Sequence, residues 1–195
     1  NMLDEQAIRR RKNEPVDDIP KGEFLMVSVG SLIPRKGFER LIHICGLLKS
    51  RGYRFHLLIL GKGELYEQLA EQVIDEHLLG SVQLLGFRDN PYPYMAAADL
   101  YVCPSYVEGF STVVSEAVVL ETPVVTTDCS GMREILGDSE YGLITRNTEE
   151  SLFEGLRTML DKPEVYQYYQ QRVRERAPFF YMEERLKAYE EILDQ

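Results

Sequence analysis

Pro104-Ser105-Tyr106-Val107-Glu108-Gly109-Phe110-Ser111-Thr112-Val113-Val114-Ser115-Glu116-Ala117 is the most informative stretch of this chain. It follows Leu100–Cys103, a short apolar run that reads as a strand, and it leads into apolar residues at helical spacing. Ser111 stands where a helix needs an N-cap, and Glu116 falls in the second turn. Strand, Gly-bearing loop and helix start make one βα unit. The same rhythm repeats on either side of it. Strands are predicted at Phe24–Val29, Phe55–Leu60, residues 82–85, Leu100–Cys103 and Val124–Thr127, with a short sixth over residues 142–145. Each is nearly continuous in apolar character, as expected when helices cover both faces of a parallel sheet.

The segments between the strands carry helical stripes. Leu41, Ile44, Cys45 and Leu48 are spaced i, i+3, i+4, i+7, and Leu65, Leu69 and Val73 follow at intervals of four. Beyond the sixth strand the pattern is purely helical, with Leu152, Leu156 and Leu160 on one stripe and Met182, Leu186, Tyr189 and Leu193 on another. The fold class is therefore α/β with a helical C-terminal tail. The 195 residues suffice for one well-packed domain and are short for two. Residues 1–22 hold the basic run Arg9-Arg10-Arg11-Lys12, then Pro15, Asp17, Asp18, Pro20 and Gly22, a composition that suggests an arm or interdomain linker. A solvated charge run is the plainer reading of those cations, and contact with a membrane surface is the other.

A net charge of −10 opposes binding to nucleic acid, so any anion must be held by a local site. Three Cys, at positions 45, 103 and 129, form no CxxC pair and read as reduced thiols. His43, His56 and His77 lack metal-ligand spacing and read as structural. No run approaches the roughly 20 apolar residues of a membrane span, and the polar start at Asn1 is unlike a signal peptide. A cytoplasmic protein is expected, with peripheral membrane contact left open.

In an open parallel sheet, ligands bind at the carboxyl ends of the strands. The loop Gly30-Ser31-Leu32-Ile33-Pro34-Arg35-Lys36-Gly37 ends a strand and sets two cations before a helix start, which reads as a phosphate site or a solvated turn. A Walker A loop is excluded by spacing. Gly61-Lys62-Gly63 fails as a dinucleotide fingerprint, because Tyr66 stands where the third glycine belongs, and reads as a tight turn near the ligand crevice. In the 104–117 stretch, the amides of Ser111, Thr112 and Val113 suit a diphosphate, while Glu108 and Glu116 suit vicinal hydroxyls. For either glutamate alone, a capped and solvated helix start competes with that reading.

Two glutamates separated by seven residues, Glu108 to Glu116, resemble the E-x7-E motif of retaining GT-B glycosyltransferases, family 4 in particular. Further landmarks fall in the same order: Val29-Gly30 with Lys36-Gly37, Ile59-Leu60-Gly61-Lys62-Gly63, Leu84-Leu85-Gly86, Ala98-Asp99-Leu100 with Pro104-Ser105, and Pro123-Val124-Val125 with Gly131 and Glu134. The resemblance spans residues 24–162. It implies a Rossmann-like parallel sheet with helices on both faces, the C-terminal half of a GT-B fold. Glu116 would bind ribose and Glu108 the transferred sugar. Gly109, Phe110 and Ser111 would line the sugar, with the amides of Thr112 and Val113 on the diphosphate. Lys36 would neutralise the departing phosphates, and Glu108 and Lys36 are the candidate catalytic residues. Arg35 would add a phosphate contact, and the loop Gly86-Phe87-Arg88-Asp89 would hold the base.

Two positions depart from the family pattern. Ser31 stands where most relatives have Arg, so one phosphate contact is lost or passes to Arg35. Glu121 stands where relatives have glycine, which is strained if that residue ends its helix in a left-handed conformation. No DxD triplet occurs, so no metal and no cofactor are expected beyond a UDP- or GDP-linked sugar as substrate. The organisation implied is an arm or linker over residues 1–22, a nucleotide-sugar-binding domain over 23–178, and an amphipathic helix over 179–195 crossing towards an absent N-terminal domain. A glycan or lipid-linked acceptor would bind through that absent half, leaving the isolated domain inactive. The alternative is a non-catalytic nucleotide-sugar-binding module or a partner-dependent subunit, and the same fold also serves sugar-nucleotide epimerases.

Overall fold

A computed structural model describes residues 3–181. Its six strands, β1 (Phe24–Val29), β2 (Phe55–Leu60), β3 (Val82–Gly86), β4 (Leu100–Cys103), β5 (Val124–Thr127) and β6 (Leu143–Thr145), form one sheet in the order β3-β2-β1-β4-β5-β6. Every neighbouring pair is parallel. Strand order reverses between β1 and β4. In a doubly wound sheet, that reversal opens a crevice at the carboxyl ends of the strands.

Alternate residues of each strand point to opposite faces, and both faces are covered. Met26, Leu57, Ile59, Leu100, Val102 and Val125 pack on one side with Leu41, Ile44 and Leu48 of α2 (Phe38–Ser50), Leu69 of α3 (Tyr66–Asp75) and Leu156 of α7 (Glu149–Asp161). Leu25, Val27, Leu58, Leu60, Tyr101 and Val124 pack on the other. There they meet Met95 of α4 (Tyr92–Ala97), Val114 and Val118 of α5 (Thr112–Val119), Ile135 of α6 (Met132–Leu136) and Val173 of α8 (Pro163–Arg176). Truncating one of these fully buried leucines to Ala costs about 2–5 kcal/mol. The predicted α/β reading therefore holds strand by strand, with β6 one residue shorter than expected and β3 one longer.

The N-terminal segment holds a helix, on which Arg9 and Arg10 are exposed to solvent. Residues Glu5–Arg11 form α1, capped by the Asp4 carboxylate on the Ala7 amide (2.9 Å), with three arginines in the last turn where the helix dipole favours them. Ile8 is buried beneath it, and the Arg9 guanidinium lies 5.1 Å from the Tyr181 ring centroid. That single apolar anchor was hidden in the sequence by the charges around it. The stripe of Met182, Leu186, Tyr189 and Leu193 lies outside the described residues. Among the described residues, no helix is long and apolar enough to cross a membrane.

Candidate active site

Two loops at the carboxyl ends of β1 and β2 are fastened to one another. The Leu32 amide donates to the Lys62 carbonyl (2.9 Å), the Leu65 amide to the Leu32 carbonyl (3.1 Å) and the Gly61 amide to the Gly86 carbonyl (2.9 Å). A Cβ at Gly61, where φ is +155°, would lie 1.8 Å from the Gly30 carbonyl oxygen, so no side chain fits. The first loop ends at Gly37, whose φ of +70° and close approach to the Pro104 carbonyl likewise demand glycine. That approach brings the first loop against the loop after β4, which carries Glu108.

Lys36 and Glu108 meet there. The ammonium lies 2.5 Å from Glu108 Oε1, the Ser105 hydroxyl donates to the same oxygen (2.7 Å), and the Arg35 guanidinium stands 4.0 Å from Oε2. The Glu108 side chain is 8% exposed, so its charge depends on these partners rather than on water. Arg40 fixes the loop from below. Its buried guanidinium donates to the carbonyls of Pro104 (2.7 Å) and Ser105 (2.7 Å) and to Asn147 Oδ1 (2.8 Å), and it stacks 3.8 Å from the Tyr106 ring centroid. Asn147 donates in turn to the Tyr106 carbonyl (2.8 Å), and the Thr127 hydroxyl to the Ser105 carbonyl (2.5 Å).

A cleft of about 350 Å³ opens at the carboxyl ends of β1 and β2. Its walls come from Ser31 and Lys62 of the fastened loops, from Phe87, Arg88 and Tyr92 after β3, and from Val113 and Glu116 of α5. A narrower recess holding Lys36, Ser105, Glu108 and Ser111 shares Val29 and Val113 with it. Ser111 caps α5 by accepting from the Val114 amide (3.3 Å), which leaves the amides of Thr112 and Val113 without an intrahelical partner. Glu116 accepts from the Tyr92 hydroxyl (3.0 Å). Burial pushes the Glu116 carboxyl above the ordinary range, and the Tyr92 hydrogen bond partly opposes that rise. Burial and the Glu116 charge push the Tyr92 phenol up to about 12.

The sequence-predicted residues thus separate into groups. Lys36, Arg35 and Glu108 form one ion cluster, and Val113, Glu116, Phe87 and Arg88 line the cleft. Thr112 lines an adjoining cavity that also reaches Glu116. Gly109 and Phe110 are exposed and lie outside the cleft lining, and Gly86 lends its carbonyl to the fastened loops. Arg88 is already engaged, donating to Asp18 Oδ2 (3.1 Å) and to the Tyr94 hydroxyl (3.2 Å), while Tyr94 donates to Asp18 Oδ1 (2.7 Å).

Sequence reasoning missed three residues. Arg40 shares the stripe of Ile44 and Leu48, and a cation at a core position was the available signal. Tyr92 gave none. Lys62 was read only as part of a turn, yet it lines the cleft, and its ammonium lies 5.0 Å from the Phe87 ring centroid. Among the described residues, no group of three or more His, Cys, Asp or Glu is arranged to hold a metal ion.

Residues 9–176 match the family described as Glycosyl transferases group 1. The chain belongs to that family. This glycosyltransferase domain is 37% identical over 182 residues to the N-acetylgalactosamine-N,N'-diacetylbacillosaminyl-diphospho-undecaprenol 4-alpha-N-acetylgalactosaminyltransferase of Campylobacter jejuni, covering 92% of the chain and 48% of that protein. It is 32% identical over 170 residues to the putative teichuronic acid biosynthesis glycosyltransferase TuaC of Bacillus subtilis, covering 85% and 40%. The domain therefore spans less than half the length of either relative.

Among solved structures, the glycosyltransferase domain superimposes on WaaG, a glycosyltransferase involved in lipopolysaccharide biosynthesis, with a TM-score of 0.72 at 26% identity, covering 91% of the chain and 47% of WaaG. It superimposes on Anabaena Alr3699/HepE in complex with UDP with a TM-score of 0.74 at 22% identity, covering 89% and 49%. The fold is that of GT-B glycosyltransferases.

Proposed function

We propose that this domain is the donor-binding, C-terminal half of a retaining, metal-independent glycosyltransferase of family 4 type, and that it takes a nucleoside diphosphate sugar in the cleft at the ends of β1 and β2 and the adjoining recess beside β4. One observation carries the reading: the free amides at the start of α5, the cations of the 30–37 loop and both glutamates converge on the same strand ends. Ribose hydroxyls would donate to Glu116, an anionic acceptor set in the cleft wall. The diphosphate would lie against the amides of Thr112 and Val113, where a helix N-terminus favours negative charge. Lys36 would turn from Glu108 to the β-phosphate as the leaving group gains charge, and Arg35 would follow it. Glu108 would then meet hydroxyls of the sugar. Lysine and amides supply the charge neutralisation in this scheme, so no divalent ion is needed.

UDP is the expected nucleotide, because Alr3699/HepE binds it on a similar fold. The Campylobacter relative is named for a saccharide linked to undecaprenyl diphosphate, which supports a lipid-linked acceptor at a membrane face, bound by a second domain. Thermal melting with UDP-, GDP- and ADP-sugars in EDTA tests this reading. A rise in Tm with one nucleotide class in EDTA is expected. No rise with any of them, or a rise that requires added magnesium or manganese, would overturn it.

A further inference from the structure

We propose that Tyr92 is a positioning residue for nucleoside recognition: by donating its hydroxyl proton to Glu116 Oε1, it holds that carboxylate towards the cleft with the second oxygen left for ribose. The inference rests on Glu116 being the ribose acceptor.

Glu116 stands between two spaces, the cleft of about 350 Å³ and a neighbouring cavity of about 280 Å³ bounded by Asp4, Ala7 and Arg11 of the N-terminal segment. Tyr92 lines both as well. An untethered carboxylate there could turn into either space. Tyr92 is itself well fixed. Its amide donates to Asn90 Oδ1 (3.3 Å), Asn90 Nδ2 donates to the Arg11 carbonyl (2.9 Å) and to Glu14 Oε2 (2.8 Å), and the Arg11 guanidinium lies 5.8 Å from the Tyr92 ring centroid. A phenol has a single proton to donate, and here it goes to one carboxylate oxygen of Glu116. An oriented acceptor loses less freedom when a hydroxyl pair binds, which favours affinity.

The same contact sets the charge. Burial raises the Glu116 pKa, and the Tyr92 hydrogen bond works against it. The other charged groups lining these cavities are Asp4 and Arg11 from the N-terminal segment, Lys62 from the loop after β2, and Arg88 and Asp89 from the loop after β3. What moves the Glu116 pKa is its burial and the hydrogen bond from Tyr92. Removing the phenolic donor therefore raises the Glu116 pKa further. As pH falls, Tyr92→Phe then loses the ionised acceptor sooner than wild type does.

The experiment is calorimetric titration of the 195-residue chain with uridine and UDP from about pH 7.5 down to about pH 5.5, below which ordinary carboxylates protonate. Wild type, Tyr92→Phe, Glu116→Gln and the double variant are compared, and melting curves check that each is folded. The expected result is about three- to tenfold weaker uridine binding by Tyr92→Phe, a loss that grows towards acid, and no additional loss from Tyr92→Phe on the Glu116→Gln background. Uridine binding by Tyr92→Phe equal to wild type at every pH, with Glu116→Gln weakened, would overturn the role of Tyr92 and leave Glu116 as the ribose acceptor. An equal loss at every pH and on both backgrounds would also overturn it. Wild-type binding by Glu116→Gln would remove the ribose reading on which the inference stands.

Discussion

Replacing Lys36 with Met removes the closest cation from a carboxylate that has little water to fall back on. The Glu108 side chain is 8% exposed and that of Lys36 18%, so their 2.5 Å contact is a largely buried ion pair. Breaking such a pair by deleting one partner typically costs about 3–5 kcal/mol, because a charge is stranded. Two groups soften the loss: the Ser105 hydroxyl at 2.7 Å, and Arg35 at 4.0 Å with a half-exposed side chain that solvent screens. A net cost of about 2 kcal/mol follows, which in a chain of this size lowers Tm by about 4–8 °C. Adding Glu108→Gln removes the stranded charge and should restore about 1 kcal/mol. Urea titration of the two single variants and the double variant measures this cycle. In the same samples, Lys36→Met should weaken UDP about tenfold and leave uridine unchanged. A Lys36→Met protein as stable as wild type, or one further destabilised by Glu108→Gln, would refute the stranded-charge reasoning. Equal losses for UDP and uridine would refute the placement of Lys36 at the phosphates.

Glu121 ends α5 at a φ of +60°, with the Thr122 amide on the Ala117 carbonyl (3.0 Å) and the Glu121 amide on the Val118 carbonyl (2.9 Å), so Glu121→Gly should stabilise the chain by about 0.5–1 kcal/mol in urea titration. Arg40→Met strips the buried Pro104 carbonyl of its side-chain donor and leaves the Ser105 carbonyl to the Thr127 hydroxyl and the Cys129 thiol, and should cost about 2 kcal/mol by the same assay while weakening UDP-sugar more than UDP. Glu116 has a folded pKa raised above its unfolded value, so the folded state holds the extra proton, and stability falls as pH rises through the interval between the two. Glu116→Gln should therefore raise Tm at about pH 7 and lose most of that advantage towards about pH 4, where the carboxyl is mostly protonated in both states.

The sheet was legible because each strand is a short apolar run buried on both faces, a pattern that Phe24–Val29 and Phe55–Leu60 display with one polar residue each, Ser28 and His56. The site's position followed from the same topology, since Gly30, Gly61, Pro104 and Ser111 mark the strand ends that the parallel sheet brings together. The fine structure was not legible. α1 makes its main buried contact through Ile8, too little to show as a stripe among four consecutive basic residues. Arg40 serves carbonyls 64 and 65 residues further along the chain, and no local pattern encodes a partner so remote. Tyr92 reaches Glu116 only because α4 and α5 lie on the same side of the sheet. Glu121 is the opposite case: its strain was readable by resemblance, from the glycine that relatives carry there, and the left-handed turn is formed despite the side chain.

Placement of a nucleoside diphosphate in the cleft is the centre of this account, and a crystal of the chain soaked with UDP in EDTA tests it most directly. The expected density puts the ribose hydroxyls on Glu116, the diphosphate on the amides of Thr112 and Val113 with Lys36 turned towards it, and the base beside the 86–89 loop. UDP bound away from the ends of β1, β2 and β4, or bound there only after a divalent metal is added, would contradict it.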